Sequence, residues 1–83
     1  RFKKDYKKAK RQGKNIGELQ KIIVLLRQKE ILPEKYRDHQ LTGEYRRFRE
    51  CHITPDWLLI YKIDDNKLVL SLSRLGSHSE LFN

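Results

Sequence analysis

Apolar residues recur every three or four positions in the first third of the chain and every second position in much of the last half, so the pattern itself divides the molecule into helices followed by strands. Phe2, Tyr6 and Ala9 form a narrow apolar stripe among lysines and predict a helix over about residues 2–12. Gln12-Gly13-Lys14 breaks it. Asn15, three positions ahead of Glu18, makes a capping box before Ile16, Leu19, Ile22, Ile23 and Leu26, which predicts a second, more deeply buried helix ending near Lys29. So short a connection implies an antiparallel helical hairpin. From Ile31 to Gly43, with Pro33 inside, the pattern is irregular.

After Gly43 the period changes to two. Tyr45 to Ile53, Trp57 to Ile63 and Lys67 to Leu75 read as strands, bounded by the turn sequences Thr54-Pro55-Asp56 and Asp64-Asp65-Asn66. Three strands joined by tight turns make an antiparallel meander, and an antiparallel meander has a direction. If the first strand runs up, the second descends and the third climbs again, so His52, Asp56 and His78 arrive at one end of the sheet. His39 is not placed by this argument. Leu58, Ile60, Leu68, Leu70 and Leu72 are read as core, and Cys51, alternating with His52, faces the other side and packs.

The 83 residues are 37% hydrophobic and 36% charged, which suits one domain with a small core and a shallow surface cleft in place of a deep cavity. The apolar runs Ile22 to Leu26 and Trp57 to Tyr61 fall far short of the ~18 residues a membrane helix needs, and no signal peptide is read. A single cysteine cannot close an internal disulfide. The expected place of action is the cytoplasm.

Charge changes the picture further. Residues 1–14 hold +7 of the net +8, with Asp5 as their one acid. A merely solvated helix face interleaves Glu with Lys, so Lys3, Lys4, Lys7, Lys8, Lys10 and Arg11 are read as a nucleic-acid contact that binds phosphates without reading sequence.

All three histidines, His39, His52 and His78, lie in the second half. Cleaving RNA needs a base for the 2′-hydroxyl proton, an acid for the departing 5′-oxygen and cations for charge on the phosphorane. Imidazole titrates at ~6.5 in reference peptides, so one copy serves as base while another serves as acid. Arg46, Arg47 and Arg49 precede His52, and Arg74 precedes His78. Phe82 and Trp57 are aromatic surfaces for stacking on a base, although Trp57 also reads as structural. A zinc site built from His, His and Asp lacks the tight ligand spacing such sites show.

The segments Asp38-His39-Gln40-Leu41-Thr42-Gly43, Phe48-Arg49-Glu50-Cys51-His52-Ile53-Thr54-Pro55-Asp56-Trp57 and Arg74-Leu75-Gly76-Ser77-His78-Ser79-Glu80-Leu81-Phe82 resemble the YafQ branch of the RelE/ParE toxin superfamily, from about Lys35 to Asn83. The resemblance implies a bacterial toxin–antitoxin toxin of α+β fold, a helical hairpin on a small antiparallel sheet, that cleaves mRNA in the A site of the 70S ribosome without a metal or other cofactor. It further implies that His39, His52, Asp56 and His78 perform acid–base catalysis, that Phe82 supports it, and that Arg49 and Arg74 hold the scissile phosphate. An acidic antitoxin is implied as partner, and no membrane. Relatives open with a strand ahead of the first helix, whereas this sequence starts inside that helix. Two other readings stay open at this point: a ParE-like gyrase poison without catalysis, and a basic RNA-binding module.

Overall fold

The stripe formed by Phe2, Tyr6 and Ala9 becomes one side of helix α1 (Phe2–Arg11), with Ala9 buried and the Phe2 and Tyr6 rings stacked 6.2 Å apart. The computed structural model describes residues 1–64, 66 and 69–82. Gly13, at φ 72°, turns the chain after α1, with its N–H on the Lys10 carbonyl and the Lys14 N–H on that of Ala9. Helix α2 (Ile16–Arg27) starts as its capping residue requires: the Asn15 side chain accepts the Glu18 N–H at 3.0 Å. It ends in the same Schellman pattern, here with Lys29 in the left-handed conformation. Leu19, Ile22 and Leu26 form the buried face of α2.

The segment read as irregular holds more order than its sequence suggests. Two 3-10 turns, Glu34–Tyr36 and Gly43–Tyr45, flank a two-residue strand β1 (His39–Gln40). The next strand, β2 (Arg49–Thr54), starts four residues later than periodicity implied, because Tyr45 lies in the second of those turns. Strands β3 (Trp57–Asp64) and β4 (Val69–Gly76) complete the meander, whose order is β1-β2-β3-β4 with every neighbouring pair antiparallel. Asp65 of the second turn, and Lys67 and Leu68 where β4 was expected to begin, lie outside the described residues.

Alternation sorts β3 onto two faces. Trp57, Leu59 and Tyr61 join Cys51, Ile53 and Leu75 in one core with the buried sides of α1 and α2, whereas Leu58 and Ile60 are buried outside that cluster, on the opposite face. The second face is covered by helix α3 (His78–Phe82), which periodicity did not predict. Its signal was present as a capping box: the Ser77 N–H donates to the Glu80 carboxylate at 2.8 Å, and the Ser77 hydroxyl accepts the Glu80 N–H at 3.2 Å. A Cβ at Gly76 would lie 3.2 Å from both Glu80 and Leu81 side-chain atoms, so the absence of a side chain there lets α3 fold down onto the sheet. Lys8 donates to Glu80 and ties α1 to α3.

Candidate active site

Two rungs of the sheet place the histidines. One runs His39, Glu50, Ile60, Arg74 across all four strands, and the next on the same face, beyond the rung of Cys51, Leu59 and Leu75, runs His52, Leu58, Gly76. His39, Glu50 and His52 therefore share a face, and their side chains meet. The buried Glu50 carboxylate lies 3.2 Å from His52 Nε2 and 3.7 Å from His39 Nε2, and the two rings are 6.3 Å apart, centre to centre. The far nitrogen of each ring also meets an oxygen: His39 Nδ1 is 2.7 Å from the Arg37 carbonyl, and His52 Nδ1 is 3.3 Å from that of Pro55. Three of the four ring nitrogens have an acceptor within 3.3 Å, and His39 Nε2 has the Glu50 carboxylate at ion-pair distance.

His78 opens α3, two residues beyond Gly76, and Gly76 itself is two strands, roughly 10 Å, across the sheet from His52. The His78 ring lies 5.0 Å from Phe82, which in turn meets Tyr45 edge-on at 5.6 Å. Phe82, Tyr45, Phe48, Ile60 and Arg74 line a cleft of about 410 Å³ beside it. His39 and His52 thus meet at Glu50, and His78 enters from α3 beside Phe82. Asp56 stands exposed in the turn after β2, without a hydrogen bond or ion pair among the described residues.

Glu50 was not singled out among the candidate residues. Its position two before His52 on a strand is the signal that puts it on the same face.

Two expectations are corrected, those for Arg49 and Trp57, and a third is narrowed. Arg49 alternates with Glu50 and so points to the other face, where Asp38 takes its guanidinium at 3.1 and 3.4 Å and also accepts the Tyr61 hydroxyl; it does not reach the histidines' cleft. Trp57 is 2% exposed within the helix-side core and has no face free to stack on a base. Arg74 does border the cleft, but Asp5 of α1 holds its Nε at 2.8 Å and Nη2 at 3.4 Å, leaving only the remaining N–H groups for a ligand. The same Asp5 accepts the Leu75 N–H at 2.9 Å, so it seals the outer edge of β4 as well.

The lysine face is as exposed as its sequence implied. Lys3, Lys4, Lys7, Lys8, Lys10 and Arg11 all reach solvent, Lys8 through its pairing with Glu80. Burial pushes the Cys51 thiol up to about 12, in keeping with a packing role. Among the described residues no group of three or more His, Cys, Asp and Glu side chains is arranged to hold a metal ion, and no helix is long and apolar enough to cross a membrane.

The family described as the bacterial toxin of type II toxin–antitoxin system, YafQ, matches residues 1–83. The mRNA interferase toxin YafQ of Escherichia coli strain K12 is 38% identical over 82 residues, covering 98% of this chain and 87% of the relative. The structure superposes on a crystal structure of a copper-bound mutant toxin from Helicobacter pylori with a TM-score of 0.91 at 47% identity, over 98% of this chain and 90% of the other. On the crystal structure of the E. coli DinJ–YafQ toxin–antitoxin complex it does so with a TM-score of 0.89 at 37% identity, over 99% and 89%. This chain belongs to the YafQ family of type II toxin–antitoxin toxins.

Proposed function

We propose that this chain is an mRNA interferase, an endoribonuclease toxin that cuts mRNA in the ribosomal A site by attack of the 2′-hydroxyl on the adjacent phosphodiester, leaving a cyclic phosphate and a free 5′-hydroxyl. The observation that carries this reading is the pair His39 and His52 on either side of the buried Glu50 carboxylate, with His78 beside Phe82 in the helix that follows β4. Such an end of the sheet offers a base on one side of a bound phosphodiester and an acid on the other.

In this mechanism one of His52 and His78 takes the 2′-hydroxyl proton, and the other delivers a proton to the departing 5′-oxygen. Glu50 orients His52 and His39, and it stabilises the imidazolium that forms on proton capture. Asp56, exposed in the turn after β2, takes part as an orienting carboxylate. Phe82 and Tyr45 stack on a base in the cleft, with the free N–H groups of Arg74 toward the phosphate. Side chains alone supply base, acid and cation here, and cutting is expected to persist in EDTA.

The lysine face of α1 docks on ribosomal RNA, and an acidic antitoxin neutralises the same surface. The 83 residues act as one toxin domain in the cytoplasm, where the ribosomal substrate is. Primer extension on translated mRNA tests the reading directly. The parent should give cuts within ribosome-bound message, and His52→Ala and His78→Ala should each lose them by at least ~100-fold with the fold intact. Undiminished cutting by both variants would refute the assignment.

A further inference from the structure

Both arginines expected to hold phosphate are matched by acids, Arg49 by Asp38 and Arg74 by Asp5, whereas two cations outside the expected set stand unpaired next to the histidines. His52, Thr54 and Pro55 form one wall of a groove of about 530 Å³, and Lys35, Tyr36 and Arg37 form the other. This lies within the range of roughly 300–1,000 Å³ typical of small-ligand sites. Neither Lys35 nor Arg37 enters an ion pair among the described residues. Both are exposed.

The backbone that carries both cations is fixed, and Lys35 rests on an aromatic ring. The 3-10 turn Glu34–Tyr36 ends in Arg37 at φ 49°, a left-handed turn that an arginine adopts only when its surroundings impose it. Tyr36 is fully buried with its hydroxyl on the Glu18 carboxylate, and Lys35 lies 5.0 Å above the Tyr36 ring. Glu18 also lines the groove, but the Tyr36 hydrogen bond engages its carboxylate and, with lesser help from the charges of Lys21 and Lys35, holds its pKa below the ordinary value. The Arg37 carbonyl is the acceptor at His39 Nδ1, so the cation and the catalytic ring sit on one short piece of backbone. The aromatic cleft with Phe82 is a separate pocket that shares no lining residue with this groove. A single RNA strand whose base occupies that cleft and whose scissile linkage lies at the histidines passes next over His52 into the basic groove.

We propose that Arg37 and Lys35 form a subsite for the phosphodiester next to the scissile one, on the side away from the aromatic cleft. The ligand class is the backbone of single-stranded RNA, recognised by charge and not by base. This inference rests on the nuclease reading given above and specifies how its substrate is held.

The test uses the whole chain with short RNAs carrying a 2′-deoxy sugar at the cut position, and a neutral methylphosphonate placed at each linkage in turn. Parent protein should lose about tenfold in binding when the linkage adjoining the cut is neutral. Arg37→Asn, which tolerates the left-handed turn, should lose about as much on unmodified RNA and little more on the modified one. Lys35→Gln should show the same coupling more weakly, and Arg37→Lys should restore part of the loss. The slope of log affinity against log salt should fall by ~0.7 for each cation removed. Independent, additive losses from Arg37→Asn and the methylphosphonate would overturn the subsite. So would an Arg37→Asn variant that binds and cuts RNA as the parent does but escapes neutralisation by an acidic antitoxin, an outcome that would give the groove to that protein. If the parent cuts no mRNA at all on ribosomes, the nuclease reading itself fails, whatever the groove does.

Discussion

His52 Nε2 lies 3.2 Å from the carboxylate of Glu50, two positions earlier on β2, and the same carboxylate faces His39 on the neighbouring strand. A buried acid held between two imidazoles is costly unless those rings answer its charge, so the three side chains stand or fall as a unit.

Replacing Glu50 with Gln keeps the shape and removes the charge. Cutting of ribosome-bound message is expected to fall ~10- to 100-fold, with Glu50→Asp retaining part of the activity. Primer extension measures the loss, and an unchanged urea midpoint would separate it from unfolding.

His39 depends on a strand only two residues long, whose register is weakly specified by pairing alone. The clamp that fixes it is Asp38, held by Arg49 and by the hydroxyl of the wholly buried Tyr61. Tyr61→Phe deletes one hydrogen bond at a buried ring and should cost about 1 kcal/mol in urea unfolding. It should also slow cutting, because the chain carrying His39 loses its anchor.

Acid should loosen α3 ahead of the sheet. The ammonium of Lys8, followed by the Ser77 N–H, holds the Glu80 carboxyl down at about 2, against ~4.3 for a free glutamate. A carboxyl depressed by folding contributes stability that is fully present above its unfolded pKa and is lost as pH falls through its folded one. The window therefore runs from about pH 4 down to about pH 2. The aromatic proton signals of Phe82 and His78 should shift within it, and Lys8→Ala should move that transition to higher pH.

Cys51 is wholly buried, and its thiol is pushed up to about 12 by burial and by the nearby charges of Asp38 and Glu50. Native protein at pH 8 should resist iodoacetamide, and the same protein in concentrated urea should react completely. Mass spectrometry reads the difference.

The sequence by itself determined the local order and the course of the meander. Helical spacing of Phe2, Tyr6 and Ala9, the Asn15 cap and the period-2 runs after Gly43 specify elements whose residues interact with near neighbours, so each was legible from its own segment. The meander followed, and with it the placing of the turn after His52 and the end of β4 ahead of His78 at one end of the sheet, because antiparallel strands joined by short turns leave no other arrangement. Which cations stay free was settled only by packing. Arg74 is matched by an acid 69 positions away because α1 lies against β4, and Arg49 is taken by Asp38 on the far face. Trp57 disappeared into the core for the same reason: β3 is covered on both faces, which alternation along one strand does not reveal. The joining of His39 to Glu50 and the folding of α3 over Gly76 depend on contacts between segments far apart in the chain, and such contacts exist only once the helices and sheet have packed.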